Sequence, residues 1–460
     1  MLLDGTIAAV STPKGIGGIA VIRISGEDTP RILKKVFRPL KGDVASCPVR
    51  FAVYGDIIDE NGHRIDSGLL VKFAYGKSFT GEEMAEISCH GGVMVTALVL
   101  KRVLSAGARH AEPGEFSRRA FVNGKQNLAE AEAVADLLEA KSESAVILLS
   151  NQKDGKLSKE IQEIATRLLV LTASLYAYID YPDEDLQDVD DDTLVQKVRD
   201  EISRIQEILS TYRGGRAVTA GVPAVIAGTP NSGKSSLFNY LVGEEKAIVT
   251  EVAGTTRDLL EYTVKVGRVL LTLTDTAGLH KSDDLVEKIG IAKAEEKVFS
   301  SETQLILALF DSSRRFEKNE LELMEKLRTA PGKVMPILTK TDQPCLADTE
   351  ELKRRFCSYE MISVITGDGI QALKNKIEAL YLSSDIRLED GGLLVNARQF
   401  SCLEKTRDLL LDVVHTVLSG GKELSGILLE QAIATLQETD GRQVGEQIVQ
   451  NIFSRFCVGK

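Results

Sequence analysis

Hydrophobic positions in the first 122 residues follow the short, alternating pattern of β-strands. Apolar and β-branched runs at residues 19–24, 51–54 and 68–73 are separated by glycine-rich turns, which predicts three strands. The apolar spacing over Met94 to Leu104 instead predicts a helix. The pattern therefore indicates an α+β domain over residues 1–122.

From Leu128 onward the pattern becomes helical. Apolar residues recur every three or four positions, at Leu128, Ala131, Val134, Leu137 and Leu138. A similar stripe returns after Gly392, at Leu409, Leu410, Val413, Val414 and Val417. The Arg-Gly-Gly-Arg stretch at 213–216 indicates a linker. We predict one helical domain in two parts, residues 123–216 and 386–460.

Residues 217–385 alternate between strand and helix patterns. Candidate strands lie at residues 224–227, 269–274, 305–310, 334–338 and 361–363. Such alternation is typical of a mostly parallel sheet with helices on both faces. The predicted fold class is thus multidomain: an α+β domain, a discontinuous all-α domain, and an inserted α/β domain.

Charge is concentrated in one segment of the chain. The 460 residues carry 56 Lys and Arg against 67 Asp and Glu, a net charge of −11, which argues against polyanion binding over the whole surface. Residues 180–192 alone hold eight carboxylates and no Lys or Arg, and we interpret them as a solvated acidic loop. Residues 1–122 carry a net charge of +3, so a nucleic-acid contact through a limited patch stays open.

Length, apolar runs and cysteines exclude several other classes of protein. The length predicts two to four domains at about 100 to 200 residues each. No run approaches about 20 apolar residues, so we predict no membrane span. The N-terminus lacks a basic region followed by an apolar stretch, so we expect no secretory signal and a cytoplasmic protein. The six scattered cysteines form no CxxC pair, which argues against a disulfide scaffold or a zinc site.

The sequence from Gly228 to Ser235, GTPNSGKS, has the spacing of a phosphate-binding loop between a strand and a helix. In such a loop, backbone N–H groups wrap phosphate oxygens, Lys234 reaches the terminal phosphates, and the Ser235 hydroxyl coordinates Mg²⁺. The predicted nucleotide ligands here are Asn231, Ser232, Gly233, Lys234, Ser235 and Ser236.

Three later segments indicate that the nucleotide is GTP. Asp275, Thr276, Ala277 and Gly278 follow the next strand, where a carboxylate near the metal and a glycine N–H facing the γ-phosphate are needed. The segment Thr339-Lys340-Thr341-Asp342 resembles a guanine-reading N-K-x-D, in which the Asp accepts hydrogen bonds from guanine. Thr339 replaces Asn; its hydroxyl can still bond locally, but the strength of guanine binding stays open. Ser363, Val364 and Ile365 occupy the expected position against the base.

A switch segment is predicted between these motifs. Thr256 is the candidate for a second Mg²⁺ hydroxyl, and the nucleotide-binding run comprises Thr250, Glu251, Val252, Ala253, Gly254, Thr255 and Thr256. Leu279 stands where Ras-like GTPases have a water-orienting Gln, so another group must position water and neutralise charge. Asn231 and the Thr250 to Thr255 run can supply oxygens for a monovalent cation. Glu287 can orient the water, although a helical Glu is usually only solvated.

Five motifs in this order resemble the MnmE (TrmE) family of tRNA-modification GTPases, over essentially the whole chain. They are TPKGIGG at 12–18, SFTGE at 78–82, HGG at 90–92, PGEFS at 113–117 and FCVGK at 456–460. A phosphate loop alone occurs in many unrelated proteins, whereas the terminal motifs together are specific.

The resemblance implies a homodimer joined through N-terminal domains that bind 5-formyl- or 5,10-methylene-tetrahydrofolate. Matching folate-contacting positions are Arg23, Glu86, Lys125 and Lys460. It also implies K⁺-assisted GTP hydrolysis with the GTPase domains meeting face to face. Matching K⁺ positions are Asn231, Thr250, Val252 and Thr255, and matching catalytic positions are Asn231, Lys234 and Glu287.

The implied partner is the FAD-dependent protein MnmG (GidA), in a heterotetramer that adds an aminomethyl or carboxymethylaminomethyl group to C5 of the wobble uridine of certain tRNAs. Cys457 is a candidate nucleophile or proton donor, or equally a packed terminal thiol without an activating histidine nearby. Two alternatives remain: a ribosome-assembly GTPase whose flanking regions dock on RNA, and a regulatory GTPase for a protein partner. An RNA-docking GTPase has no reason to bind folate, and a regulatory GTPase would share the GTPase site but lack tRNA modification.

Overall fold

The computed structural model describes residues 4–180, 190–244, 248–250, 261–274, 297–383, 386–388, 392–454 and 456–459. Contacts divide the chain into two compact units. The first comprises Met1–Leu138, Gln152–Glu201 and Lys405–Lys460, and the second comprises Glu139–Asn151 and Ile202–Glu404. The first unit thus contains the N-terminal region together with helical segments from both sides of the second unit. The division into three domains at the boundaries given above stays a prediction.

The N-terminal region of the first unit is built on a seven-stranded sheet. Its elements are β1 (Ile7–Val10), β2 (Ile19–Ser25), α1 (Thr29–Val36), β3 (Phe37–Pro39), β4 (Val53–Ile58), β5 (Arg64–Phe73), β6 (Met84–His90), α2 (Val93–Ser105), β7 (Arg109–His110) and α3 (Glu115–Val122). The strand order is β3-β4-β5-β6-β2-β1-β7, antiparallel except for the β1–β7 pair.

Strand alternation determines which face of this sheet is buried. In β2 the side chains of Ile22 and Ile24 are fully buried and pack with Val99 of α2, whereas Arg23 points to the other face. The predicted α+β architecture is confirmed. No strand or helix was predicted at β1, β3, β6, β7, α1 and α3. Strands β1, β3 and β7 are only two to four residues long, whereas β6 alternates apolar and polar residues over seven positions and was missed despite that pattern.

The next elements are helical: α4 (Leu128–Leu138), α5 (Glu143–Lys153), α6 (Lys156–Asp180), α7 (Asp191–Ser210) and α8 (Tyr212–Thr219). Residues 181–189 of the acidic run lie outside the described residues. At its end, Asp190 accepts the Thr193 N–H at 2.6 Å and the Thr193 hydroxyl at 3.0 Å, so this carboxylate caps α7.

The stretch at 213–216 is not a linker, which corrects the sequence-based interpretation. It lies within α8, and its two glycines are buried against other backbone of the second unit. A Cβ on Gly214 would come within 2.7 Å of the Tyr381 carbonyl oxygen, and one on Gly215 within 2.2 Å of the Leu394 carbonyl oxygen. The glycines therefore permit close helix packing rather than chain flexibility, a role that sequence composition cannot distinguish from a flexible turn.

The second unit contains the predicted α/β sheet. Its elements are β8 (Val222–Gly228), α9 (Lys234–Glu244), β9 (Ile248–Thr250), β10 (Glu261–Val266), β11 (Val269–Thr274), β12 (Leu305–Asp311), α10 (Lys318–Leu327), β13 (Lys333–Thr339), α11 (Thr349–Phe356), β14 (Glu360–Met361) and α12 (Ile370–Ala379). The strand order is β14-β13-β12-β8-β11-β10-β9, and the first five strands are parallel. The β9–β10–β11 edge is antiparallel.

Register aligns the carboxyl ends of the parallel strands in one row. Leu309 lies opposite Gly228, Asp311 opposite Thr339, and Leu338 opposite Met361. Loops that follow these strands therefore gather at one edge of the sheet, which is where ligands bind in open α/β folds.

The chain ends in three helices, α13 (Ala397–Leu418), α14 (Lys422–Asp440) and α15 (Glu446–Phe453). Helix α14 packs along α6, and a Cβ on Gly426 would come within 2.8 Å of the Tyr176 ring. Leu128 of α4 shares a buried cluster with Val449 and Phe453 of α15. Helices from before and after the inserted sheet thus pack together, as the predicted discontinuous domain requires. Within the described ranges, no helix is long and apolar enough to cross a membrane.

Candidate functional site

The loop from Gly228 to Ser235 joins β8 to α9 at the carboxyl edge of the sheet. Asn231 has φ of +63° and Gly233 has φ of +96°, and left-handed residues of this kind turn successive N–H groups toward one concave surface. Lys234 begins α9, where the positive end of the helix dipole favours an anion. Its ammonium donates to the carbonyl oxygens of Gly228 at 2.9 Å and Thr229 at 2.8 Å, and burial lowers its pKa.

Thr339 braces this loop from the adjacent strand end. Its buried hydroxyl lies 2.8 Å from the Ser232 carbonyl oxygen and 3.2 Å from the Phe310 carbonyl oxygen. A hydroxyl carries one hydrogen and can donate fully to only one of these acceptors. The local bond expected for a threonine at this position is thus present, and it ties the T-K-x-D segment directly to the phosphate-binding loop.

The T-K-x-D segment also contacts two further strand ends. Lys340, at φ of +59°, places its ammonium 2.6 Å from a carboxylate oxygen of Asp311, the last residue of β12. Burial opposes ionisation of Asp311, but the hydrogen bonds from Lys340 and Ser313 outweigh it and lower its pKa. A carboxylate oxygen of Asp342 accepts the Ser363 hydroxyl at 2.7 Å. Asp311 was not predicted as a site residue, although a polar residue at the end of a buried strand is typical of the ligand-binding edge of a parallel sheet.

Structure therefore brings together the predicted loop residues 231–236, Thr339, Lys340, Asp342 and Ser363. Ser235 and Ser236 are exposed, Val364 is half-buried and Ile365 is exposed. Thr250 ends β9 opposite Glu261. The remaining predicted nucleotide, metal and catalytic positions lie outside the described residues: Glu251, Val252, Ala253, Gly254, Thr255, Thr256, Asp275, Thr276, Ala277, Gly278 and Glu287.

A second candidate site lies in the first unit, in a cavity of about 400 Å³. Its walls are formed by Arg23, Arg50, Phe73, Lys77, Phe79, Met84, Glu86 and Val134. Arg23 and Glu86 are cross-strand neighbours on β2 and β6, and two guanidinium nitrogens bond one Glu86 oxygen at 2.8 and 3.0 Å. The third contact of Arg23 is the Gly459 carbonyl oxygen at 3.4 Å, so the chain terminus reaches the same cavity wall.

Aromatic rings hold the Arg23 guanidinium in place. Its central carbon lies 5.6 Å from the Phe79 ring centre and 5.7 Å from that of Phe116, within cation–π range. Lys125 is not among the lining residues, and its ammonium donates to the Gly76 carbonyl oxygen at 2.5 Å. Lys460 lies outside the described residues, next to Gly459.

Cys457 is an exposed residue, and the choice between a chemical role and a packed terminal thiol stays a prediction. Its backbone carbonyl accepts the Gly114 N–H at 3.4 Å, and neighbouring Val458 pairs with Pro113. The terminal FCVGK motif thus packs against the PGEFS motif, which explains structurally why both motifs lie near the cavity.

A buried charge network underlies the PGEFS motif. Glu115 is fully buried and receives two guanidinium groups, Arg109 at 2.8 Å and Arg119 at 3.0 Å. Arg119 also bonds both oxygens of Glu82 at 3.0 Å, which connects α3 to the SFTGE segment. Burial opposes ionisation of Glu115, but Arg109, the Glu112 N–H and Arg119 lower its pKa from 4.5 to about 2.

A phosphate-binding loop at the carboxyl edge of a parallel sheet, braced by a T-K-x-D segment, defines the class of P-loop GTPase domains. Two protein-family models together match almost the whole chain. "GTP-binding protein TrmE N-terminus" matches residues 6–125, and "MnmE helical domain" matches residues 128–457.

Relatives match over the whole length of the chain. The tRNA modification GTPase MnmE of Enterococcus faecalis is 37% identical and covers 99% of this chain and 98% of its own. Those of Symbiobacterium thermophilum and Lactobacillus acidophilus are 38% identical, covering 99% of this chain and 100% and 98% of their own. The chain belongs to the MnmE (TrmE) family of tRNA modification GTPases and is a GTP-hydrolysing enzyme.

Solved structures with detectable similarity include two GTPases. The G domain of the T. maritima FeoB iron transporter is 29% identical with a TM-score of 0.28, covering 35% of this chain and 98% of that one. Aquifex aeolicus Era bound to GDP.AlF4- is 20% identical with a TM-score of 0.27, covering 41% of this chain and 66% of that one.

Proposed function

We propose that this enzyme couples K⁺-stimulated GTP hydrolysis to a folate-dependent modification of tRNA. The modification is the addition of an aminomethyl or carboxymethylaminomethyl group to C5 of the wobble uridine. The enzyme acts in the cytoplasm as a homodimer and assembles with MnmG into a heterotetramer. One observation carries the proposal: a GTPase loop and a cationic, aromatic-walled cavity occur in the same chain.

GTP binding rests on the geometry of the phosphate loop. The N–H groups around Asn231 and Gly233 hold the phosphates, and Lys234 transfers its two carbonyl contacts to phosphate oxygens. Ser235 and Thr256 hold Mg²⁺, which when bound neutralises charge on the β- and γ-phosphates. Residues Asp275 to Gly278 face the γ-phosphate, while Asp342 and the Ser363 to Ile365 segment recognise guanine. The Asp342 carboxylate is already oriented for this by the Ser363 hydroxyl at 2.7 Å.

K⁺ assistance compensates for Leu279, which cannot orient water. Asn231, Thr250, Val252 and Thr255 supply oxygen ligands, and Glu287 orients the attacking water. Asn231 suits this role because its side chain carries an amide oxygen and the residue is exposed in the loop. The K⁺ site requires the GTPase domains of two copies to face each other.

The cation assignment is tested by comparing steady-state GTP hydrolysis in KCl and NaCl. We expect substantially faster turnover in KCl, and a loss of that difference in Asn231→Gly with GDP binding retained. Glycine accepts the φ of +63° without strain and removes only the side-chain oxygen, whereas Asn231→Ala adds backbone strain. Equal wild-type rates in the two salts contradict the assignment.

The folate site is assigned to the cavity in the first unit. Phe73, Phe79, Met84 and Val134 suit a planar ring system, and Arg23 with Glu86 presents donors and an acceptor to its polar edge. Lys460 supplies a further cation beside Gly459. Lys125 does not line the cavity, but its hydrogen bond to the Gly76 carbonyl oxygen stabilises the loop that carries Lys77 and Phe79.

Calorimetry with 5-formyl-tetrahydrofolate tests this site. We expect saturable heat for the wild type and much weaker binding for Arg23→Gln, since that variant removes the guanidinium fork. No detectable wild-type heat at high micromolar ligand favours the ribosome-assembly or regulatory GTPase instead. Mass spectrometry of tRNA nucleosides from cells with and without the gene tests the process, because the C5-substituted wobble uridine should disappear without it.

A further inference from the structure

The cavity in the first unit carries excess positive charge. Four charged side chains line it, and Arg23 and Glu86 neutralise each other at 2.8 Å. Arg50 and Lys77 remain, and no carboxylate among the described residues lies within ion-pair distance of either side chain. The lining therefore has a net charge of +2, which favours a ligand with two negative charges.

Arg50 is held at the cavity by an unusual backbone. Its φ is +63°, a left-handed conformation that residues other than glycine, asparagine and aspartate seldom adopt. Its N–H donates to the Lys72 carbonyl oxygen at 2.8 Å, beside the isolated bridge between Val49 and Lys72. Strained backbone of this kind is concentrated at binding sites, where surrounding contacts maintain it.

The two unpaired cations converge on one loop. A terminal guanidinium nitrogen of Arg50 donates to the backbone carbonyl oxygen of Lys77 at 2.8 Å. The guanidinium has further N–H groups, and both side chains are exposed to solvent at the cavity rim. Arg50 can therefore bind a carboxylate through two N–H groups, while Lys77 offers a point charge nearby.

We propose that Arg50 and Lys77 are the specificity-determining residues for the glutamate tail of a folate. One residue binds each of the two tail carboxylates, and the apolar walls with the Arg23–Glu86 pair take the ring system. This inference rests on the proposed folate function and names the part of the ligand that each group recognises. Folates with a glutamate tail are bound in preference to the same ring system without one.

Calorimetry with two ligands separates tail recognition from ring recognition. The ligands are 5-formyl-tetrahydrofolate and the primary amide of 5-formyl-tetrahydropteroate, which keeps the benzamide group but lacks both glutamate carboxylates. Arg50→Gln and Lys77→Gln should each weaken tetrahydrofolate binding by about tenfold, and the double variant by about thirty- to a hundredfold. Affinity for the pteroyl amide should stay within twofold in every variant, because this ligand has no tail carboxylate. Lys101→Gln, an exposed cation on α2 outside the lining, is the matched control and should change neither affinity.

Four outcomes overturn the proposal, and they are distinguishable. Equal loss of both ligands in the variants means that Arg50 and Lys77 maintain the cavity shape only. Unchanged tetrahydrofolate binding together with weaker tRNA retention assigns the two cations to nucleic acid instead. If wild type binds neither ligand, the folate function itself fails, whereas equal wild-type affinity for both ligands overturns only the tail assignment.

Discussion

Replacing Glu115 by Gln removes the charge at the centre of the buried network in the first unit. The side chain is fully buried, bonded by Arg109 and Arg119, and further bonded by the Glu112 N–H at 3.0 Å. Glutamine keeps the shape but offers one oxygen acceptor and a neutral amide. Arg119 retains Glu82, so the variant still folds, but with a weakened connection between α3 and the SFTGE segment.

The magnitude follows from the pKa of Glu115. A fall from 4.5 to about 2 corresponds to roughly 3 kcal/mol of stability in favour of the ionised form. Because the folded-state pKa is lowered, this contribution is fully present above pH 4.5. It is lost as the pH falls from about 4.5 towards 2. Removing the carboxylate should therefore cost roughly 3 kcal/mol at pH 7 and make stability less sensitive to acid.

Hydrogen exchange is the suitable assay, because it reports local stability in a chain with more than one compact unit. Amides of α3 should exchange on the order of a hundredfold faster in Glu115→Gln than in wild type at pH 7. Glu112→Gln is the matched control, since that side chain is 64% exposed and pairs only at the surface with Arg118; it should change stability by less than about 0.5 kcal/mol. Exchange in Glu115→Gln within threefold of wild type refutes the reasoning, as does an equal loss of protection in both proteins below pH 4.5.

Two further predictions concern the second unit. Thr339→Val leaves the buried Ser232 carbonyl oxygen without its donor, so GDP affinity should fall by about tenfold in a titration with a fluorescent analogue. Thr339→Ser restores the hydroxyl and should bind nearly as wild type does; equal affinity in the Val variant contradicts the bracing role. Arg268 bonds Glu378 through its side chain and its N–H, and also bonds the Ile386 carbonyl oxygen at 2.8 Å. A double-mutant cycle over Arg268→Ala and Glu378→Ala should give a coupling of roughly 0.5–1 kcal/mol in urea denaturation, whereas additive effects exclude a functional ion pair.

The geometry of the site was predicted correctly where the site is formed by residues that are close together in the sequence. The loop from Gly228 to Ser235 needs only a strand, a turn and a helix in succession, so its spacing predicts its geometry. Parallel strand ends meet at one edge, and this is why Thr339 and Ser363 could be assigned to the same site from their order. Asp311 fits the same rule and was missed only because its strand has no recognised motif.

The prediction of a linker from composition was wrong because the contacting residues are distant in the sequence. Gly214 and Gly215 have the composition of a linker, but the backbone at Tyr381 and Leu394 requires a helix without side chains there. The sequence contains no local signal for this, since close approach is a property of two surfaces rather than of one segment. Likewise, the pattern around Arg23 cannot show that Glu86 is its cross-strand neighbour.

The sequence by itself determined the fold class, the phosphate-binding loop, the indication of GTP and the family, because each depends on local patterns or on residues at fixed short spacing. Tertiary structure alone decided which charges are paired. Glu86 neutralises Arg23, Glu115 neutralises the buried Arg119 guanidinium, and Arg50 has no acidic partner at the cavity among the residues that the structure describes. Electrostatic pairing depends on distance and burial, and both are established only when strands and loops from separate parts of the chain are brought together.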